Sequence, residues 1–271
     1  MVFVWIILIL ALLISASYLL MLKGRKNHPD MAALRGWNYA HRGLHDEKRP
    51  ENSMVAFRAA LEKGYGIELD VHLLADGTLA VFHDHSLLRM TGKEGEIETL
   101  TREQLSDYCL GSTLQTIPVL EDVLALFAGK APLIVELKAV GGNHAALTDR
   151  VVALLQDYSG PYCIESFDPR CIYHLKKHYP QIIRGQLSQN FLHIQKNVPW
   201  IARFCLTKHL FNFLLKPDFV SYCFRDREIL SNRIVRKLWK VQGVAWTLRT
   251  PQEHQIAVQE GWMPIFENYE P

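Results

Sequence analysis

Two hydrophobic patterns divide the chain. From Val2 to Leu22 no position carries a charge and nearly all are apolar. At 1.5 Å per residue this run makes about 31 Å of helix, close to the hydrocarbon thickness of a bilayer. It predicts one transmembrane helix over 1–22. A cleaved signal peptide would want a basic stretch ahead of the apolar run, and only the terminal amine precedes this one. A buried core helix would carry polar interruptions that this run lacks. Lys23, Arg25 and Lys26 follow the span, so the positive-inside bias predicts a single-pass protein with its C-terminal side in the cytoplasm. A short polar linker over 23–36 then leads to one domain over 37–271.

In that domain the pattern becomes a series of short, β-rich apolar segments separated mostly by stretches of helical periodicity. The strand candidates are NYAHRG (38–43), IELDVHLL (67–74), TLAVFHD (78–84), PLIVELK (132–138), YCIESF (162–167), IIRGQL (182–187), DFVSYC (218–223), GVAWTL (243–248) and PIFENY (264–269). Helices are expected over 53–63, 120–128, 145–156, 170–178, 228–242 and 251–260. Strand and helix alternating through about eight units predict an α/β chain closed into a (β/α)8 barrel. The ninth strand is explained by Asp76-Gly77, which reads as a two-residue hairpin turn between two alternating runs. Counting outward from that turn sets Asp70 opposite His83 and Glu68 opposite His85.

Composition narrows the function classes. The chain of 271 residues is 49% hydrophobic and 21% charged, with a formal charge of +2, which excludes a disordered chain and supplies no basic field for nucleic acid. The five cysteines are odd in number and show no metal-ligand spacing, which fits a reducing compartment and neither a disulfide framework nor zinc.

The candidate chemistry lies at predicted strand ends, where the catalytic residues of a (β/α)8 barrel sit. Glu136 and Lys138 are two apart on one strand, hence on one face. His41 and Arg42 end the first strand, and Ser53 of the loop 50–53 is placed to cap the next helix. Glu68, Asp70 and Glu136 make an oxygen-ligand set for one hard divalent cation, Mg2+ or Ca2+. His41 and His83 are available for proton transfer, and Arg42 and Lys138 point to a phosphate substrate. The remaining histidines are read as structural, with His85 supporting the site from behind.

The strings HRG (41–43), PENS (50–53), ELD (68–70), DG (76–77), HD (83–84), TG (91–92), IPVLEDVL (117–124), ELK (136–138), SF (166–167) and WT (246–247) occur in the order seen in glycerophosphodiester phosphodiesterases. The resemblance runs from about Asn38 to the C-terminus. It implies a TIM barrel in which Glu68, Asp70 and Glu136 are metal ligands and His41 and His83 the general acid/base pair. Arg42 and Lys138 would contact phosphate, Glu51 would support the site, and Trp246 would form part of the substrate wall. One departure stands at the end of the chain, where Phe266-Glu267-Asn268 replaces the family's Thr-Asp before a proline; it bears on barrel closure and nearby substrate contacts. The implied reaction is metal-dependent hydrolysis of a glycerophosphodiester to glycerol 3-phosphate and an alcohol. Alternatives are a lysophospholipase D acting on membrane lyso-lipids and a non-catalytic membrane-tethered binding barrel; loss of a histidine or carboxylate would favour the latter, and none is lost. The basic, aromatic-rich segment 190–219 is expected at the mouth of the barrel, either resting on a membrane surface or packed as a helix.

Overall fold

The structure is a computed structural model that describes residues 1–193 and 198–271. Its first element, α1 (Val2–Met21), is the apolar run, exposed to solvent along nearly all of its length. Thereafter come β1 (Tyr39–His41), α2 (Met54–Glu62), β2 (Gly66–Leu73), β3 (Leu79–Val81), α3 (Leu88–Thr91), α4 (Leu120–Phe127), β4 (Leu133–Leu137), α5 (His144–Leu155) and β5 (Tyr162–Ser166). The chain continues through α6 (Pro169–His178), β6 (Arg184–Ser188), α7 (Trp200–Thr207), α8 (Asn212–Leu215), β7 (Phe219–Cys223), α9 (Leu230–Lys237), β8 (Gln242–Leu248), α10 (Pro251–Gln259) and β9 (Trp262–Phe266).

Among the described residues, β1, β2, β4, β5, β6, β7, β8 and β9 pair in parallel in that order, and β9 returns to β1 through Tyr39↔Ile265 and Ala40↔Phe266. The sheet is therefore a closed (β/α)8 TIM barrel, and the Phe266-Glu267-Asn268 departure leaves closure intact. A parallel barrel buries both faces of its strands. Accordingly Leu69, Val71, Val135, Ile164 and Ala245 pack outward under the helices, in one cluster with Phe57, Leu120, Val151 and Leu175.

Three differences from the sequence expectation have physical causes. The β2–β3 hairpin has a three-residue loop, because Leu74 pairs with Thr78 and Gly77 adopts φ +83, a conformation that glycine takes without a Cβ penalty. The register accordingly sets Phe82, not His83, against Asp70, with the Phe82 N–H donating to the Asp70 carbonyl. Helix α9 ends at Lys237, five residues early, because Lys240 turns left-handed at φ 56 and β8 begins at Gln242. Strand β9 begins at Trp262, ahead of Pro264, and its register against β8 slips just after the Ala245↔Pro264 pair, where proline has no N–H to donate.

The segment after α1 is packed into the domain. Leu22, Met31 and Leu34 are buried, and Leu34 and Met31 close the base of the barrel with Tyr39, Ile134, Phe219 and Ile265. The Arg25 guanidinium donates to both Asp218 oxygens, at 2.5 and 2.6 Å, and to the Pro180 carbonyl at 2.6 Å.

Candidate active site

The carboxyl ends of the strands bring the sequence-predicted groups together. Register sets Glu68 beside His41 and Asp70 beside Glu136, and carboxylate oxygens of Glu68, Asp70 and Glu136 lie within 4.8 Å of one another, all buried. Lys138 reaches back between two of them, its Nζ 2.7 Å from Glu136 and 2.9 Å from Asp70. The Arg42 side chain donates to Glu51 at 2.8 Å and has its Nε 3.4 Å from Asp70.

The His-Arg-Gly string has a backbone reason. Arg42 sits at φ 54, which turns its N–H onto Glu68 at 3.2 Å. Gly43 follows at φ +84, where an added Cβ would stand 3.0 Å from Ala56 and Phe57. Asn52, itself at φ 54 and buried, donates its side-chain N–H to Asp70 at 2.8 Å, and the Ser53 hydroxyl caps α2 by accepting from Ala56.

Each histidine is held by a carboxylate behind it. His41 Nδ1–H donates to Glu267 at 2.5 Å, and Glu267 is in turn paired with Arg249 at 2.7 Å. That leaves His41 Nε2 facing the cluster, 3.9 Å from Glu68. His83 Nδ1–H donates to Asp84 at 2.7 Å; Asp84 is bonded to Arg89, whose other nitrogens reach Glu51 at 2.6 and 3.0 Å. Glu51 thus ties Arg42 to the His83 side of the site. His85 pairs with Glu98 at 2.6 Å and with Glu96, not with Glu68.

Electrostatics follow from burial. Burial, then repulsion by Asp70 and Glu136, pushes Glu68 well above the usual carboxylate range. Glu136 is pushed up to about 7 by burial, against the pull of Lys138. Asp70 lies well below its usual range although burial opposes it, because Lys138 and Arg42 flank it. His83 is held down to about 4 by burial, and burial also lowers His41 although Glu267 opposes it. Glu267 sits at about 2 despite burial, held there by His41 and Arg249. Three clustered carboxylates that resist ionising together fit a hard divalent cation, which takes oxygen ligands.

These groups surround a cavity of about 140 Å³ lined by His41, Arg42, Glu68, His83, Glu136 and Glu165 on its polar side and by Phe167, Leu187 and Trp246 on its apolar side. Trp246 packs edge-on against Phe167 at 5.6 Å, and its indole nitrogen is buried without a hydrogen-bond partner among the described residues.

Compared with known proteins, residues 41–269 match the glycerophosphoryl diester phosphodiesterase family. This chain belongs to that family. A glycerophosphodiester phosphodiesterase of Caldanaerobacter subterraneus is 31% identical over 201 residues, covering 69% of this chain and 80% of the relative. A bovine glycerophosphodiester phosphodiesterase 1 is 26% identical over 244 residues, covering 79% of this chain and 72% of the relative. An Oleispira antarctica phosphodiesterase, solved with the product sn-glycerol-3-phosphate, superposes with a TM-score of 0.73 at 21% identity, covering 90% of this chain and 96% of that one. The chain is thus a phosphoric diester hydrolase of the glycerophosphodiester phosphodiesterase family, and the solved neighbour carries the same fold.

Several residues of this candidate site escape sequence reasoning. Glu165 lines the cavity from β5, with one oxygen buried and without a hydrogen-bond partner among the described residues; its signal is its place at a strand's carboxyl end, two residues after Cys163. Asp84 stands beside His83 in the HD string. Glu267 shows in the sequence only as a departure, Asn52 stands in the PENS string without a role read for it, and nothing local marks Arg89 or Arg249. The segment 190–219 divides in two. Phe191 packs on Phe167 at 5.9 Å and α7 follows it, whereas α8 lies on the barrel flank against α6, with Leu215 buried and Lys176 donating to the Leu214 carbonyl. Residues 194–197 of this segment lie outside the described residues.

Proposed function

We propose that this enzyme cleaves glycerophosphodiesters at the 140 Å³ cavity to give glycerol 3-phosphate and an alcohol. In this reading Glu68, Asp70 and Glu136 hold one divalent cation, Mg2+ or Ca2+, and His41 and His83 serve as general acid and base. The observation that carries it is the convergence of three buried carboxylates and two carboxylate-backed imidazoles on one cavity. A bound cation would supply Lewis-acid stabilisation of the phosphate's negative charge. Arg42 adds a fixed positive charge at the cavity wall, and Lys138, bonded between Asp70 and Glu136, adds a second one within the carboxylate cluster, raised well above its usual pKa by those two acids although burial works against it.

Because both rings donate Nδ1–H to a carboxylate, each presents its Nε2 to the reactants. One imidazole takes a proton from the nucleophile as the new P–O bond forms; if that nucleophile is water the product is glycerol 3-phosphate directly, and if it is a neighbouring glycerol hydroxyl a cyclic phosphodiester forms, which a water then opens to glycerol 3-phosphate. The other gives a proton to the departing alkoxide as the old P–O bond breaks. Phe167 and Trp246 limit water on the apolar side.

The proposal includes a membrane span over α1, with the domain on the cytoplasmic face. Supporting retention, the last turn of α1 is part of the domain's packing: Leu22 is buried, and the Leu19 carbonyl accepts the Trp239 indole N–H at 2.9 Å. The reading is tested with Glu136→Gln, by calorimetric titration of Mg2+ and Ca2+ and by turnover of glycerophosphocholine. Both metal affinity and kcat should fall together, and full turnover in the variant would overturn the ligand assignment.

A further inference from the structure

A second concave site, of about 590 Å³, lies between α9 and the amino ends of β8 and β9. Among the described residues it shares no lining with the active-site cavity. Arg227, Arg233, Arg236, Lys237 and Lys240 supply five cations to this groove, and Glu228 and Glu260 are its acids. Both acids are taken by one cation. Glu260 accepts from the Arg227 guanidinium at 3.2 Å and from the Trp262 indole N–H at 2.9 Å, and Glu228 lies 3.5 Å from the same guanidinium. Arg233, Arg236, Lys237 and Lys240 are left with no carboxylate within 4.0 Å among the described residues.

Four like charges on one concave wall repel, and the helix accounts for only part of them. The last turn of α9 favours cations at Arg236 and Lys237. It explains neither Arg233 in the middle of the helix nor Lys240 beyond its end. Arg236 is moreover built in. Its guanidinium lies 3.5 Å from the Trp262 ring centroid and donates to the Glu260 carbonyl at 2.5 Å. Gly243 makes the room, since a Cβ there would stand 2.5 Å from Arg236 Nε and from the indole. Burial lowers the Arg236 pKa to about 10 against the pull of Glu260 and Glu228, so the hydration it has lost exceeds what those acids return. Trp262 is itself only 4% exposed, and the groove therefore offers charge rather than an aromatic face for stacking. A fixed guanidinium fork flanked by lysines matches phosphate oxygens, and the volume falls in the range of about 300–1,000 Å³ for small-ligand sites.

We infer that this groove is a second anion site and takes a ligand carrying at least two phosphate groups, with Arg236 as the fixed fork and Arg233, Lys237 and Lys240 neutralising the remaining charge. Trp239, between Lys237 and Lys240, donates its indole N–H to the Leu19 carbonyl at 2.9 Å, so the groove stands beside the end of α1 and of the proposed span. The same chemistry then has two sources there, a soluble polyphosphate compound and a membrane lipid with two phosphates in its headgroup.

The test uses the full chain in nonionic detergent with EDTA present, so that no divalent cation draws phosphate to the carboxylate cluster. Inorganic pyrophosphate, titrated calorimetrically, should bind once per chain with a Kd below about 1 mM. Arg42→Gln, in the active-site cavity, should retain that affinity. The double variant Arg233→Gln with Lys240→Gln removes two exposed side chains and should weaken binding roughly tenfold or more with thermal unfolding unchanged. Absence of binding to the parent protein, or a loss in Arg42→Gln with none in the double variant, would overturn the site. The readout is binding alone, and it is decided whether or not the phosphodiesterase reading holds. A photo-crosslinking amino acid at exposed position 237, in phosphatidylcholine vesicles containing cardiolipin, separates the sources. Cardiolipin adducts that pyrophosphate displaces assign the headgroup; pyrophosphate binding without such adducts assigns the soluble compound.

Discussion

Replacing Glu267 by Gln removes the anion behind His41 while keeping the side-chain shape. Glu267 accepts the His41 Nδ1–H at 2.5 Å, is paired with Arg249 at 2.7 Å, and lies outside the cavity lining. It therefore reaches the reaction through the imidazole and through Arg249, which lines the cavity and which a glutamine at position 267 can still accept from. A hydrogen bond to a charged partner contributes about 1.5–3 kcal/mol. If that amount is lost as the imidazole gains its proton, kcat falls roughly 10- to 100-fold. KM should stay within about twofold, because no substrate contact is removed. The carboxylate also raises the His41 pKa against the effect of burial, so its loss moves the His41 limb of the pH–rate profile to lower pH. The assay is the pH dependence of glycerophosphocholine turnover for wild type and variant, with thermal unfolding of both as the control for folding. An unchanged kcat and pH profile in a folded variant would refute this positioning role.

Four further outcomes follow from the same geometry. His41→Ala and His83→Ala should each lose roughly 100-fold or more in kcat with folding intact, and the double variant should fall well short of the product of the two losses; stopped assays on purified protein check this. Arg89→Ala should reduce kcat less, roughly tenfold, because it acts through Asp84 and Glu51, and near-wild-type kinetics would show that relay to be dispensable. His209 is buried without a ring hydrogen-bond partner among the described residues and held at about 3 by burial. The unfolded chain binds its proton below pH 6.5 and the folded chain does not. Stability is thus full above 6.5 and lost as pH falls toward 3, by roughly 2 kcal/mol between pH 6.5 and 5; urea unfolding in detergent should show that loss shrink in His209→Phe. For topology, a cysteine engineered at exposed Glu94 should resist an impermeant maleimide in intact cells, and labelling would reverse the cytoplasmic assignment.

The barrel was legible because its signals are local and repeated. Segment 132–138 opens on the apolar run PLIV that a doubly covered parallel sheet requires, segment 67–74 alternates apolar residues with the inward Glu68, Asp70 and His72, and the hydrogen bond from the Lys138 N–H to the Val71 carbonyl holds their ends together. Glu136 and Lys138 could be set on one face by strand period alone. The hairpin register could not, since a positive φ at Gly77 serves a three-residue loop as well as a two-residue one. The partners of the histidines were hidden for a different reason. Glu267 is 226 positions from His41, and only barrel closure brings them together. The polarity of the stretch 23–36 suggested a tether, and nothing in its sequence shows that Arg25 finds Asp218 or that Leu34 closes the barrel's base. The aromatic content of 190–219 was visible, while its division between α7 and the flank at α8 depends on the helices it meets.

Metal-dependent phosphodiester cleavage at the carboxylate cluster, as proposed, is open to one direct measurement. Its most direct test is release of glycerol 3-phosphate from glycerophosphocholine by the purified full-length protein, before and after EDTA treatment and again after Mg2+ or Ca2+ is added back. Product formation should be lost with EDTA and recover with one of the two cations; full activity in EDTA would contradict metal-dependent cleavage.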